Sequence, residues 1–328
     1  MIRPLLPLQR TRRHLFASAA RIYCVLGLGI LGMLPSHAGA EDVLKLHRRE
    51  TAVRAVVHSD LVLAEAMRRT RAKYGSYRIE YTKINLVRER VLIEAIKGDQ
   101  INAATVAIQP TWEERMIPVW IPLDMGVSSF RIGFVKRDRQ DRLASVRNEA
   151  DLKKLRVGVG LGWSSRQVFE ANGLTLETAI DQAALTRMLL ADRLDYFPRG
   201  VNEVFSEYDA MVQPDPQLAI DKELLLYFPL PNYVFVSPRY PRLAKRLTDG
   251  LESMVRDGTL LKMVKTYHAE MLQRAELCAR HIIRLDNPFL SASNPLSRKE
   301  LWFDPYDKKR GICNSVSTAR SSEKAGKS

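Results

Sequence analysis

The sequence predicts an α/β fold in two lobes. Three observations point to it. Short β-branched runs alternate with amphipathic helical stretches, the pattern of parallel or mixed sheets covered by helices. That alternation occurs in two successive sets, one before and one after about residue 136. A return of amphipathic helices closes the chain from residue 241.

In the first set, residues 43–46 read as a strand. Ser59 or Asp60 is placed to cap a helix through Leu63, Met67 and Tyr74 that stops at Gly75. Residues 77–81 alternate as a strand, and 87–97 form a helix with Leu92, Ala95 and Ile96 on one face and Gly98 at its end. Residues 101–108 are apolar and β-branched, as in a buried strand, and 131–136 form another.

In the second set, residues 151–155 form a helical turn and 156–160 a strand running into glycines. Ser164 or Ser165 caps a helix ending at Asn172-Gly173, and Asp181 caps the next. A short strand at 195–197, a helix at 201–208 and strands at 224–228 and 233–236 follow. The closing helices are 241–257, with Pro241 in the first turn and Gly258 past the end, and 260–268.

The ends carry different information. Residues 1–40 hold Arg3, Arg10, Arg12 and Arg13, an apolar run from 22 to 34, Pro35 and the small triplet Ala38-Gly39-Ala40, with no acid before Glu41. Basic, apolar and small in that order predict a cleavable export signal and a periplasmic mature protein. The apolar run is shorter than the roughly 18–20 residues that span a bilayer. Residues 11–16 also match a twin-arginine box loosely, so both the general and the twin-arginine routes stay open. From residue 309 the chain is basic and serine-rich, and 309–328 is expected to be a disordered tail.

The chain carries 51 basic and 37 acidic side chains, net +14. Removing the signal takes away five arginines, leaving 46 against 37, or +9. This excess suits anionic ligands or an anionic envelope. No Cys/His finger or basic aromatic repeat supports nucleic acid as a partner. Two cysteines remain, Cys278 and Cys313. In an oxidising compartment they can pair, tying the C-terminal extension to the body, but spacing alone leaves this open.

The strongest local site is residues 156–172. Gly158, Gly160 and Gly162 let a ligand approach the backbone, and Ser164, Ser165 and a helix N-terminus favour an anion. A dinucleotide site would need glycine where Trp163 stands. There is no G-x-S-x-G elbow and no H-E-x-x-H, and the mature histidines His47, His58, His268 and His281 lack metal-ligand spacing. Glu113-Glu114 reads as a solvated pair. Neither an enzymatic activity nor a cofactor is expected.

The order of these motifs resembles the family 3 extracellular solute-binding proteins, the periplasmic receptors of amino-acid-type ABC transporters. Residues 93–107 resemble the family's helix, glycine and strand. Thr111-Trp112-Glu113-Glu114-Arg115 resembles its Thr-x-x-Arg turn with one extra residue. Residues 155–162 resemble its glycine-rich second-lobe strand, and 233–267 its hinge strand and closing helices. The resemblance spans about residues 52–268. The stretches 195–203 and 287–303 are similar to a subgroup without a settled ligand.

What the resemblance implies is a periplasmic-binding-protein type II fold with two hinge strands, near 134–136 and 233–235. Lobe 1 would hold 41–135 plus 237–308 and lobe 2 would hold 136–236. A solute would sit in the cleft between them. Arg115 would grip a carboxylate, with Thr111, Gln109, Ser164 and Ser165 as polar contacts and Trp163 or Tyr196 as an apolar wall. The family's usual serines are replaced by Ala107-Ile108-Gln109-Pro110. Its usual acid after Leu194-Asp195 is missing, Glu203 being the nearest, while Arg199 adds a second cation. The resemblance as a whole implies an amino-acid-like or carboxylate solute; these departures argue against an ordinary α-amino acid and favour an anionic or dicarboxylate one. The implied partner is an ABC permease or, alternatively, a membrane sensor, and the protein would act as a monomer.

Overall fold

A computed structural model of the chain describes residues 41–47, 57–82 and 86–313. The expected export signal, and the tail beyond residue 313, lie outside the described residues.

Strands β1 (Asp42–His47), β2 (Tyr77–Thr82) and β3 (Ala103–Ala107) lie among helices α1 (His58–Arg69), α2 (Arg71–Tyr74) and α3 (Arg88–Lys97). The helix expected to run through Tyr74 is broken at Thr70, whose hydroxyl donates back to the Ala66 and Met67 carbonyls. Its N-cap is Val57 and not Ser59 or Asp60, because the helix starts one residue earlier with buried His58. Gly98 closes α3 in the left-handed region, φ 74°, where only glycine enters without penalty.

Next come α4 (Pro110–Arg115), β4 (Ile117–Val119), β5 (Phe130–Lys136), α5 (Gln140–Ala144), α6 (Glu149–Leu152), β6 (Arg156–Gly160) and α7 (Ser164–Ala171). The chain continues through β7 (Thr175–Ala179), α8 (Gln182–Leu190), β8 (Phe197–Gly200), α9 (Val201–Met211), β9 (Leu218–Ile220), β10 (Leu224–Tyr227) and β11 (Asn232–Val236). It ends with α10 (Pro241–Arg256), α11 (Thr259–Tyr267), α12 (Ala269–Ala275) and β12 (His281–Arg284). Asp181 caps α8 as expected, accepting from the Ala184 N–H.

Two sheet regions result. The first has the order β2-β1-β3-β11-β4, with β11 antiparallel to both neighbours. The second has the order β12-β10-β5-β8, with β9 also on β5. The parallel β6–β7 pair joins it through a bridge between Val157 and Tyr196. The chain therefore passes between sheets in the segments just before β5 and just before β11. The expected hinge stretches are not themselves the crossings, because residues 134–136 pair wholly within the second sheet and 233–235 wholly within the first. Nor does the end of the chain stay with the first sheet: β12 pairs in parallel with β10 in the second.

Helix α10 lies against α1. A Cβ on Gly250 would stand 2.4 Å from the Ala66 carbonyl oxygen, so only glycine permits this approach. Arg246, fully buried, donates to the Asp42 carboxylate at 2.8 Å and to the Gly75 and Ser76 carbonyls, binding α10 to the start of the first sheet. Cys278 and Cys313 form a disulfide with Cα atoms 5.3 Å apart. It fastens the extension beyond β12, in which Trp302 and Phe303 pack against Gly126 and Phe130.

Candidate functional site

The site is built where the strand ends of the two sheets meet. On the first side β3 runs out into Gln109, and Pro110 starts α4 with its fixed φ and missing N–H at a position that needs neither. On the second side β6 ends in Gly160, and Trp163 is the N-cap residue of α7. The two sides touch through Gln109, whose Nε2 donates to the Ser164 hydroxyl at 3.2 Å.

Trp163 lies on the glycine strand. A Cβ on Gly160 would come within 2.4 Å of the indole, so the glycine is the indole's seat. The ring stacks on Phe197, with centroids 5.8 Å apart and planes at 18°. Arg199, two residues beyond Phe197 on β8, also meets the ring, with Cζ 4.0 Å from the ring centroid, a cation–π contact. Arg199 is itself held by Glu207 through two bonds, Nε at 2.7 Å and Nη2 at 2.5 Å. Burial would lower the Arg199 pKa, and the Glu207 carboxylate with Glu203 reverses this and raises it. Glu203 lies 3.3 Å from Arg199 and also accepts the Gly200 N–H at 3.1 Å, closing the start of α9.

Several expectations change. Arg199 is not a cation waiting for a solute, because Glu207 already occupies its fork. Tyr196 cannot wall a cleft: it is fully buried, its ring seated on Gly133 in the core. Ser164 and Ser165 do not cap α7, which has no side-chain cap bond. Ser165 is buried, 3% exposed. Thr111 and Arg115 are exposed on the short α4, and Arg115 is its last residue. The predicted set thus divides: Gln109, Ser164 and Trp163 meet at the junction, Arg199 lies on Trp163 and pairs with Glu203, and Tyr196 leaves the set.

Three polar groups there had not been flagged. Glu113 is not a purely solvated acid, since its Oε1 is buried without a hydrogen-bond partner; the buried Tyr233 hydroxyl also lacks one. Burial, followed by the Glu113 and Asp124 carboxylates, raises the Tyr233 pKa. The third is Arg131, 6% exposed on β5, whose Nε is buried and unpartnered. Its signal in the sequence is a lone cation in the apolar run 130–135.

No protein-family model matches the chain, and no curated protein matches it in sequence. Solved structures do. An ancestral arginine-binding protein bound to arginine is 18% identical over 69% of this chain and 98% of its own, with TM-score 0.45. A substrate-binding protein of an amino acid ABC transporter from Streptococcus pneumoniae, bound to L-arginine, is 12% identical over 68% and 92%, with TM-score 0.45. An ancestral amino-acid-binding protein, a precursor of cyclohexadienyl dehydratase, is 16% identical over 68% and 94%, with TM-score 0.44. At this distance the chemistry of the site is set by its own side chains.

Proposed function

We propose that the protein captures a small polar, anionic solute at the junction of its two sheet regions and hands it to the permease of an ABC transporter, without catalysing a reaction. The observation that carries this reading is the Gln109–Ser164 hydrogen bond between strand ends of different sheets. Beside it stand a face-stacked indole and buried polar atoms with no partner of their own. A few convergent polar groups and an aromatic wall between two sheets make a site that orients a small molecule. The basic balance of the chain favours an anion.

The export signal read in residues 1–40 places this capture in the periplasm. The Cys278–Cys313 pair suits an oxidising compartment, and no helix among the described residues is long and apolar enough to cross a membrane. The protein acts as a monomer with a body of two lobes, one built on the β2-β1-β3-β11-β4 sheet and the other on the β12-β10-β5-β8 sheet.

A second reading, a ligand sensor that docks on a membrane partner, is favoured by one feature. The extension after β12 is an ordered, disulfide-fastened segment carrying its own buried anchors Leu301 and Phe303.

A thermal-shift screen of the mature chain against amino acids, dicarboxylates, sugars and phosphates tests solute capture. A solute at about 100 times its dissociation constant adds about 2.7 kcal/mol of stability. A melting temperature that no solute moves would contradict the proposal.

A further inference from the structure

We propose that Arg131, near the start of β5 and bordering this site, is its carboxylate anchor, binding a singly charged carboxylate group of the solute; the assignment rests on the solute-capture reading. In the β5–β8 register Arg131 stands opposite Gly200. Residues directly opposite each other in an antiparallel pair point to the same face. On the Gly200 face the space that a Cβ would fill is bordered by Asn202 Oδ1 at 2.5 Å and Glu203 Oε2 at 3.1 Å. Arg199 comes one residue earlier on β8 and so turns to the other face, toward Trp163 and Glu207.

The Arg131 guanidinium lies 5.1 Å from the centroid of Phe228, which it covers. Its Nε is buried with no hydrogen-bond partner, and the residue is 6% exposed. Burial lowers its pKa to about 10; the Glu203 and Glu207 carboxylates partly offset this, and the neighbouring Arg199 cation adds to it. It therefore stays charged at neutral pH. A buried cation with an unsatisfied donor is costly. A carboxylate fits the planar guanidinium fork with two parallel bonds.

The neighbouring charges select the class. Both acids serve Arg199, Glu207 through two bonds and Glu203 at 3.3 Å, and of the two Glu203 also borders the Gly200 face shared with Arg131. A doubly charged phosphate would meet the Glu203 carboxylate with excess repulsion. A carboxylate neutralises Arg131 once, and Glu203, whose Oε2 is engaged by Gly200 and Arg199, can turn its other oxygen to an amino or hydroxyl group of the same solute.

The test compares wild type, Arg131→Met and Arg131→Lys by thermal shift and calorimetry, using amino acids, short hydroxy acids, inorganic phosphate and glucose. A carboxylate should stabilise wild type while phosphate and glucose do not. Arg131→Met, with a buried charge replaced by an apolar chain, should melt at or above the unliganded wild type and bind that carboxylate at least 100-fold more weakly. Arg131→Lys should fold and bind at least 10-fold more weakly. Wild-type affinity in either variant overturns the anchor but leaves solute capture standing, as does stabilisation of wild type by phosphate or glucose alone. A wild type stabilised by nothing overturns solute capture and the anchor with it.

Discussion

The Gln109 side chain donates to the Ser164 hydroxyl across 3.2 Å, and the two residues follow strands of different sheets, β3 and β6. One such bond contributes about 0.5–1.5 kcal/mol, enough to bias how the two sides meet without holding them together. Replacing either partner by alanine should leave the melting temperature within a few degrees of wild type and weaken solute binding about tenfold. Isothermal titration with the stabilising solute checks this. Unchanged affinity in both variants would show that the contact has no part in capture.

Arg115 and Arg199 should behave in opposite ways. Arg115 is exposed at the end of α4, so Arg115→Ala should change stability by less than about 0.5 kcal/mol. Arg199 is 9% exposed and paired with Glu207. Arg199→Met leaves that half-buried carboxylate without its partner and should cost about 2 kcal/mol. Urea unfolding of the two variants separates them, and equal midpoints would contradict the site as described.

Acid should destabilise the protein through two histidines. His58 and His268 are buried with ring centroids 5.1 Å apart; His58 Nδ1 and His268 Nε2 have no partner. They face Tyr267, the Leu123 carbonyl and the Asp124 carboxylate. Burial lowers both pKa values, that of His268 to about 4, with the neighbouring His58 adding to the effect and Asp124 opposing it. The folded state thus prefers neutral rings. Their stability contribution is complete above about pH 6.5, where the unfolded histidine is also neutral, and is lost as pH falls toward 4. For His268 the loss is about 3 kcal/mol. Chemical denaturation at pH 7.5 and 4.5 should show a smaller difference in His268→Phe than in wild type. An equal difference would remove His268 as the cause.

Reduction should loosen the extension. The Cys278–Cys313 bond closes a loop of 35 residues in sequence separation, and its loss should cost about 3 kcal/mol. The Cys278→Ser/Cys313→Ser protein should melt lower than wild type and be cut by protease between residues 285 and 313 while its β-sheets survive. Equal melting temperatures with and without reductant would contradict a stabilising role for the bridge.

Most of the alternation of strand and helix was legible because it depends on local pattern: Asp181 before an apolar helix, Gly98 and Gly258 after one, β-branched runs at 103–107 and 232–236. Strand partners were not, since pairing depends on residues far apart. This is why β5 and β11 were expected to cross between sheets and instead belong to one each, and why β12 was not anticipated at all. At the site, Gln109, Trp163 and Ser164 were legible as the residues just after strand ends. The role of Arg199 was not, because its partner Glu207 lies eight residues on and reaches it only after a strand turns into a helix. Tyr196 read as a cleft wall because nothing local reveals that Gly133, 63 residues earlier, makes the seat that buries it.

The central claim, that a solute is held where these two sheet regions meet, is tested most directly by hydrogen exchange with and without the solute found by thermal shift. The account predicts that amides of residues 107–111, 129–133, 160–166 and 199–203 slow together when the solute is added. Protection confined to the extension at 285–313, with those four segments unchanged, would contradict it.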